Sequence, residues 1–441
     1  MAGIILSVDL GTSSLKAAYI DLNGRMLGYI RLPYSMFTKN TASRLQSLDD
    51  GHIVQSWKEA FNQALIKLHR QVGQSCTADA VCISGNGPTL APLHEDYDAM
   101  SPLFWYDNNV EQSEEEGDFR SFFLPKVAWL KKNQPEQYKK TDLFLSPHEW
   151  LAYRLGAEPS AVLPSLAFKP YFWDDRQCDA FGVDKNKFPP FVTMGSLIGK
   201  VESEIPVRIA NTNLKRGTPI IAGGIDFISA LIGTATFRPG DVLNRAGSSE
   251  GINVCSTHPV DAPGIRSLPH VKEGLWNISK LIPMSGRRFD LYKTASGQAD
   301  KTYKKLLKEL IPSLTKMDVF KSTPLDEGRA VLRDMGFAVR DAAAELVEHG
   351  VPVKRMVVSG GQAKNHRWNH LKANITGLQL LVPEIPDGEL AGNAVIAAVA
   401  LGESRTIEEA AGKMVKINDV YVPRYPASSF WAKSYSARQE H

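Results

Sequence analysis

The feature that most constrains this chain is a strand-and-turn pattern that occurs twice. Near the start, an apolar extended run from Ile4 to Leu10 meets a tight turn, Gly11-Thr12-Ser13-Ser14, and a second run continues from Leu15 to Ile20. Asp21-Leu22-Asn23-Gly24 then supplies another turn and Met26 to Leu32 a third run, which predicts three antiparallel strands. The pattern returns in weaker form at Asp241 to Arg245, Gly247-Ser248-Ser249 and Gly251 to Cys255, with a third strand near Trp276 to Ser279. One hydrophobic core rarely organises a chain of 441 residues, so the repeat predicts two related domains.

Helical periodicity fills the space between the strands. Val54, Trp57, Phe61, Leu65 and Leu68 share one helical face ahead of a short apolar strand from Ala80 to Ser84. Amphipathic helices are expected around Lys126 to Lys132 and Pro147 to Leu155, followed by a loop-rich stretch to about Pro206. Pro219 to Ala222 reads as a short buried strand, which suggests domains at 1–218 and 219–441. Later come a helix from about Asp326 to His349, a strand at Met356 to Ser359 and an apolar helix from Gly392 to Leu401. Both halves are therefore expected to be of the α/β class.

Composition removes several functional classes. The chain is 43% hydrophobic and 22% charged, which is ordinary for a folded globular protein. A formal charge of +3 without a Lys/Arg run argues against a nucleic-acid partner. No apolar stretch reaches the roughly 18 residues of a membrane span, and the N-terminus enters Ile4 without a basic segment and cleavage site. The expectation is a cytoplasmic protein with no membrane partner. Cys76, Cys82, Cys178 and Cys255 form no Cys-x-x-Cys pair and read as small core residues.

The candidate chemistry sits in the turns. Asp9-Leu10-Gly11-Thr12-Ser13-Ser14-Leu15-Lys16 places a carboxylate at a strand end, then small hydroxyl residues, then a cation. Backbone N–H groups and hydroxyls in such a turn cradle phosphate, and the carboxylate is suited to the waters of a magnesium ion. An ordinary hairpin uses the same residue types. If the halves are related by a two-fold axis, Gly247-Ser248-Ser249 faces the first turn across one phosphate chain. No Walker loop competes, because Gly195 to Lys200 is one residue short and is followed by Val201.

Gly223-Gly224-Ile225-Asp226 puts a carboxylate after a buried strand, as either a helix cap or a base for a substrate hydroxyl. Ser359-Gly360-Gly361-Gln362-Ala363-Lys364-Asn365 is a glycine pair that lets backbone approach a flat ligand such as adenine, or a plain strand-to-helix turn. His366 and His370 have i, i+4 spacing without an acidic partner, which favours a solvated helix face over a metal pair.

Taken in order, these motifs resemble the FGGY family of carbohydrate kinases. The resemblance runs through Asp9 to Lys16, Gly223 to Asp226, Gly247 to Ser249, Gly360 to Asn365 and the Gly392 to Gly402 helix. Ser84-Gly85-Asn86, Trp105-Tyr106-Asp107, Pro125 to Leu130 and Arg329 to Leu332 are similar to further family signatures. It implies two duplicated actin-like (ribonuclease H-like) domains with an interdomain ATP cleft, and ATP with Mg2+ as cofactors. It further implies that ATP phosphorylates a hydroxyl of a small sugar or polyol.

Carried over by residue, the family's roles give Gly11, Thr12, Ser13, Ser14 and Lys16 to the phosphates and Asp9 to the metal. Gly247, Ser248, Gly286, Asp290, Gly360, Gly361 and Asn365 would position the nucleotide. Asn86, Trp105 and Asp107 would line the sugar pocket, with Asp226 as general base. Asn86-Gly87-Pro88 and Asn109 depart from the usual signatures, the Gly286 to Arg329 segment is short, and a Gly-Glu-Arg-x-Pro loop is absent, so the acceptor stays open. An actin-like ATPase switch and a catalytically silent sugar-binding regulator are the alternatives, and a homodimer is left open.

Overall fold

The computed structural model describes residues 3–37, 51–74, 76–94, 100–105, 120–202, 209, 211–311 and 324–439. The chain divides into two compact units, Met1–Gly233 with Glu389–Met414, and Thr234–Gly388 with Val415–His441.

Unit 1 begins with the expected meander of β1 (Ile4–Leu10), β2 (Ser14–Asp21) and β3 (Met26–Pro33), after which α1 (Gly51–Val72) leads to β4 (Ala80–Gly85). Trp57, Phe61, Leu65 and Leu68 of α1 are all buried against this sheet, as their helical spacing requires. β1 is buried on both faces along nearly its whole length, which is why it reads as a continuous apolar run. Next come β5 (Ala91–Leu93), α2 (Leu124–Asn133), α3 (Pro135–Lys140), β6 (Leu143–Leu145), α4 (Pro147–Arg154), β7 (Ala161–Leu163), α5 (Asp175–Ala180) and β8 (Phe191–Thr193). β9 (Leu197–Lys200), β10 (Pro219–Ile221) and α6 (Asp226–Gly233) complete the segment. The sheet order is β3-β2-β1-β4-β10-β9.

Two sequence expectations differ from what is observed here. The stretch read as loop-rich contains β7, α5, β8 and β9, whose strands of three or four residues are too short to show a period. Pro219–Ile221 pairs parallel with β4, so β10 extends the first sheet and the contacts divide after Gly233 instead of near Gly217. A three-residue strand carries no signal for which sheet it joins.

Unit 2 repeats the plan with β11 (Val242–Ala246), β12 (Glu250–Ser256), β13 (Ile265–Pro269) and β14 (Trp276–Ile282). They are followed by α7 (Ser285–Ala295), α8 (Tyr303–Leu310), α9 (Pro324–Glu348), β15 (Arg355–Ser359), α10 (His366–Thr376) and β16 (Gln379–Pro383). The chain then supplies α11 (Gly388–Ala400) and α12 (Ile407–Met414), which belong to unit 1 from Glu389 onward, before β17 (Ile417–Tyr421) and α13 (Ala427–Gln439) return to unit 2. The sheet order is β13-β14-β12-β11-β15-β16-β17.

Apart from β13, each sheet has three antiparallel strands, two further parallel strands and one final antiparallel strand. The duplicated β-turn-β pattern thus belongs to a duplicated sheet. Among the described residues, no helix is long and apolar enough to cross a membrane.

The histidine pair corrects another expectation. His366 is exposed and its Nδ1 lies 2.9 Å from the Tyr421 hydroxyl, but His370 is only 5% exposed and packs against Tyr421 beside Arg424. Desolvation, Arg424 and His366 together push the His370 pKa down to about 4, so this face of α10 is packed rather than solvated. The signal was masked because β17 and the segment after it arrive from some fifty residues further along the chain.

Candidate active site

In unit 1, strand register builds a charged cluster. β1 pairs with β2 so that Asp9 lies opposite Lys16, and with β4 so that Asp9 lies beside Ser84. The Asp9 carboxylate is 3.3 Å from the Lys16 ammonium and accepts a 3.0 Å hydrogen bond from the Ser84 hydroxyl. Asn393 on α11 donates to Ser84 Oγ at 3.0 Å and to the Val8 carbonyl at 2.8 Å. Glu389, in the first turn of α11, contacts Lys16 at 3.4 Å.

The carboxylates outnumber the cation. Asp9 is 1% exposed, and desolvation is the largest influence on its pKa. Lys16 and Ser84 favour the ionised form, whereas Glu389 and Asp226 oppose it, and the result is a pKa pushed up to about 7. Asp226 therefore stands within electrostatic reach of Asp9. It opens α6 and remains partly exposed, so it is not a sealed helix cap. The turn before it requires glycine, since a Cβ on Gly223 would lie 1.8 Å from the Ile83 carbonyl oxygen. This close approach sets Gly224 O to accept from Gly85 N at 3.2 Å and fixes α6 against the end of β4.

The hairpin turn is closed by Gly11 N donating to Ser14 O at 3.1 Å. Ser13 O accepts from Tyr34 N at 3.1 Å, and Ser14 Oγ accepts from Arg31 at 3.0 Å. Trp105 Nε1 donates to Thr12 Oγ1 at 3.1 Å, while Trp105 N donates to Thr89 Oγ1 at 3.2 Å. Thr89 donates to Asn86 Oδ1 at 2.7 Å, and Asn86 Nδ2 donates to the Leu10 carbonyl at 3.0 Å. Asn86 is 1% exposed and ties the hairpin to the segment carrying Trp105. Asp107 lies outside the described residues.

Unit 2 gathers its own predicted residues. Gly247 N donates to Ser249 O at 3.0 Å, and Arg287 N donates to Ser248 O at 3.1 Å. A Cβ on Gly286 would sit 2.2 Å from the Gly247 carbonyl oxygen, so that contact admits only glycine. Gly360 has φ 93°, and Gly361 faces open space. Asn365 caps α10, its side-chain oxygen accepting from Trp368 N at 3.0 Å, which leaves its NH2 as the end available to a ligand. Asp290 is partly exposed on α7 and accepts from the Tyr303 hydroxyl.

Sequence reasoning missed Ser84 as a partner of Asp9, Asn393 within the Gly392 to Gly402 helix as a partner of Ser84, and Glu389 altogether. Glu389 lies 373 residues from Lys16, and no local pattern connects them. Its place just before the anticipated apolar helix was the only available cue.

Among the described residues, no group of three or more His, Cys, Asp or Glu could hold a metal ion directly. Magnesium differs from such an ion because it keeps several waters and uses one or two carboxylates together with phosphate oxygens. The hard oxygen of Asp9, crowded by Glu389 and Asp226 with Lys16 as counter-charge, fits that binding mode.

Comparisons with known proteins agree with this arrangement at the level of fold and family. The xylulose kinase of Bacillus subtilis (strain 168) is 23% identical, covering 95% of this chain and 93% of the relative. An autoinducer-2 kinase of Yersinia enterocolitica is 22% identical, covering 95% of this chain and 90% of its own. Among solved structures, the ligand-bound xylulose kinase from Lactobacillus acidophilus superposes with a TM-score of 0.77 at 16% identity, over 99% of this chain and 97% of that one. That likeness gives the fold, two actin-like α/β domains. Residues 106–233 match the N-terminal domain of the FGGY family of carbohydrate kinases and residues 291–401 match its C-terminal domain, together more than half of the chain. The protein accordingly belongs to the FGGY family of carbohydrate kinases and is an enzyme of that class.

Proposed function

We propose that this kinase transfers the γ-phosphoryl group of ATP to a hydroxyl of a small sugar or polyol, with Asp226 as general base. The observation that carries the reading is the partly exposed Asp226 carboxylate at the start of α6, electrostatically coupled to the Asp9–Lys16 pair.

In this reaction the acceptor O–H proton passes to the Asp226 carboxylate as the alcohol oxygen attacks γ-phosphorus. The bond from γ-phosphorus to the β,γ-bridging oxygen breaks, and ADP departs with that electron pair. Thr12, Ser13 and Ser14 supply turn N–H and hydroxyl donors, Gly11 closes the turn beneath the phosphate through its N–H to Ser14 O, and Lys16 supplies a positive charge for the phosphate oxygens. Asp9 is the residue that would hold Mg2+, which when bound would supply neutralisation of phosphate charge.

The nucleotide falls to unit 2, with Gly247, Ser248 and Gly286 near phosphate and Asp290, Gly360, Gly361 and Asn365 near the nucleoside. The open space at Gly361 and the NH2 end of Asn365 support that assignment. On the acceptor side, Trp105 lines the pocket and Asn86 holds its floor, consistent with the Asn86–Thr89–Trp105–Thr12 chain. A small polyhydroxy ketone such as xylulose heads the acceptor candidates, because relatives carry that substrate in their names. A cytoplasmic location without membrane or nucleic-acid partners completes the reading, supported by four free, buried cysteines.

The test is ADP release against a panel of pentuloses, hexuloses, aldoses and polyols. At least one acceptor should stimulate turnover well above acceptor-free hydrolysis. Brisk hydrolysis unaffected by every acceptor would instead identify an ATPase switch, and nucleotide-independent sugar binding a silent regulator.

A further inference from the structure

Unit 2 buries a complete positive charge beneath its glycine loops. Lys372 on α10 is 0% exposed and forms an ion pair with Glu250, which is 1% exposed. A buried ammonium is tolerated only when its N–H groups are paired. Besides Glu250, Lys372 Nζ donates to Asn244 Oδ1 at 3.0 Å and lies 5.3 Å from the centre of the Trp368 ring. The other Glu250 oxygen accepts from Ser285 Oγ at 2.7 Å.

Each of these partners adjoins a segment assigned above to the nucleotide. Glu250 follows the Gly247–Ser249 turn directly, and Ser285 directly precedes Gly286. Trp368 Nε1 donates to Gln362 Oε1 at 2.9 Å, and Gln362 Nε2 donates to the Gly247 carbonyl at 3.1 Å. One ammonium thus joins β11, the turn, the start of α7 and the strand-to-helix segment before α10. Stability alone does not call for such a pair, because an apolar pair of similar volume is generally no less stable in a core.

We propose that Lys372, acting through Glu250, is a positioning residue that sets the spacing of the loops holding the nucleotide. Glu250 fixes the end of the turn and, through Ser285, the first residue of α7, where Gly286 meets Gly247. Lys372 holds Glu250 at the required depth. This inference rests on the nucleotide reading of unit 2 given above.

The experiment compares the full-length wild type with Lys372→Met, the Glu250→Leu/Lys372→Met double variant and Ser285→Ala. Thermal midpoint, ADP affinity by calorimetry, and KM for ATP with kcat are measured for each. Lys372→Met strands Glu250 without its cation and should lower the midpoint sharply. The double variant should recover most of that midpoint, yet bind ADP about tenfold more weakly, with KM for ATP rising more than kcat falls. A double variant that regains both midpoint and ADP affinity overturns the inference. Ser285→Ala removes only the link to α7, so it keeps the test decisive if the double variant fails to fold. It should weaken ADP about threefold with only a modest fall in the midpoint, and unchanged ADP affinity overturns the inference. A wild-type chain that binds no ADP sinks the nucleotide reading itself, and the inference with it.

Discussion

The two hairpin turns occupy equivalent places in equivalent sheets but carry opposite charge arrangements. Two residues before Gly11 stands Asp9, whereas two residues before Gly247 stands Arg245. In unit 1 the lysine is partly exposed and shared by Asp9 and Glu389, with Asp226 adding a third negative charge nearby. In unit 2 the lysine is fully buried and satisfied by Glu250 and Asn244. The same backbone thus serves two electrostatic purposes. Unit 1 keeps carboxylates in excess of its cation, an imbalance that a substrate complex can offset, while unit 2 pairs its buried lysine internally. We read the first as the chemical half and the second as the half that holds the nucleotide.

If that division is right, substitutions at matching places should fail in different ways. Asp9→Asn removes the carboxylate assigned to the metal and should lower turnover about a thousandfold. The same change should raise stability at high pH. Because burial lifts the Asp9 pKa from 3.8 to about 7, the folded state binds this proton more tightly than the unfolded chain. Stability from this group therefore falls as pH rises from about 4 to about 7 and stays low above that. Thermal midpoints measured without magnesium should show Asp9→Asn gaining about 3 °C near pH 8 and nothing near pH 4. An equal gain at both values would contradict the buried charge.

Lys16→Met should reduce kcat/KM for ATP about a hundredfold, measured by coupled ADP release, since it removes the cation from among the three carboxylates. Gly286→Ala in unit 2 should act on binding instead. Its methyl group meets the Gly247 carbonyl at 2.2 Å, so KM for ATP should rise about tenfold with kcat little changed, at a cost of roughly 1–3 kcal/mol in unfolding free energy. A kcat defect larger than the KM defect would erase the distinction between the units. The smallest effect belongs to Trp105→Phe, which deletes the hydrogen bond to Thr12 and should cost about 1 kcal/mol, a severalfold loss in kcat/KM for the acceptor.

The sequence carried those features that depend on neighbours along the chain. Two glycine-hydroxyl turns between apolar runs announced the duplicated meanders, and the helical spacing of Trp57, Phe61 and Leu65 announced α1. Features that depend on distant segments were silent. Glu389 reaches Lys16, and Lys372 reaches Glu250, across 373 and 122 residues respectively, so neither pair leaves a local trace. β13 was also missed, being a five-residue edge strand with partly exposed positions. Asn86 shows the converse limit: a motif marked it for the sugar, yet its side chain is engaged at both ends with Leu10 and Thr89. A motif identifies a position, and only the packing around it reveals what that side chain touches.

The division of labour between the units turns on Asp226, and single-turnover phosphoryl transfer by Asp226→Asn, with ADP affinity measured alongside, tests it most directly. The account predicts a rate loss of about a thousandfold with ADP affinity unchanged. A variant that transfers phosphate at the wild-type rate, or loses nucleotide and rate together, would contradict it.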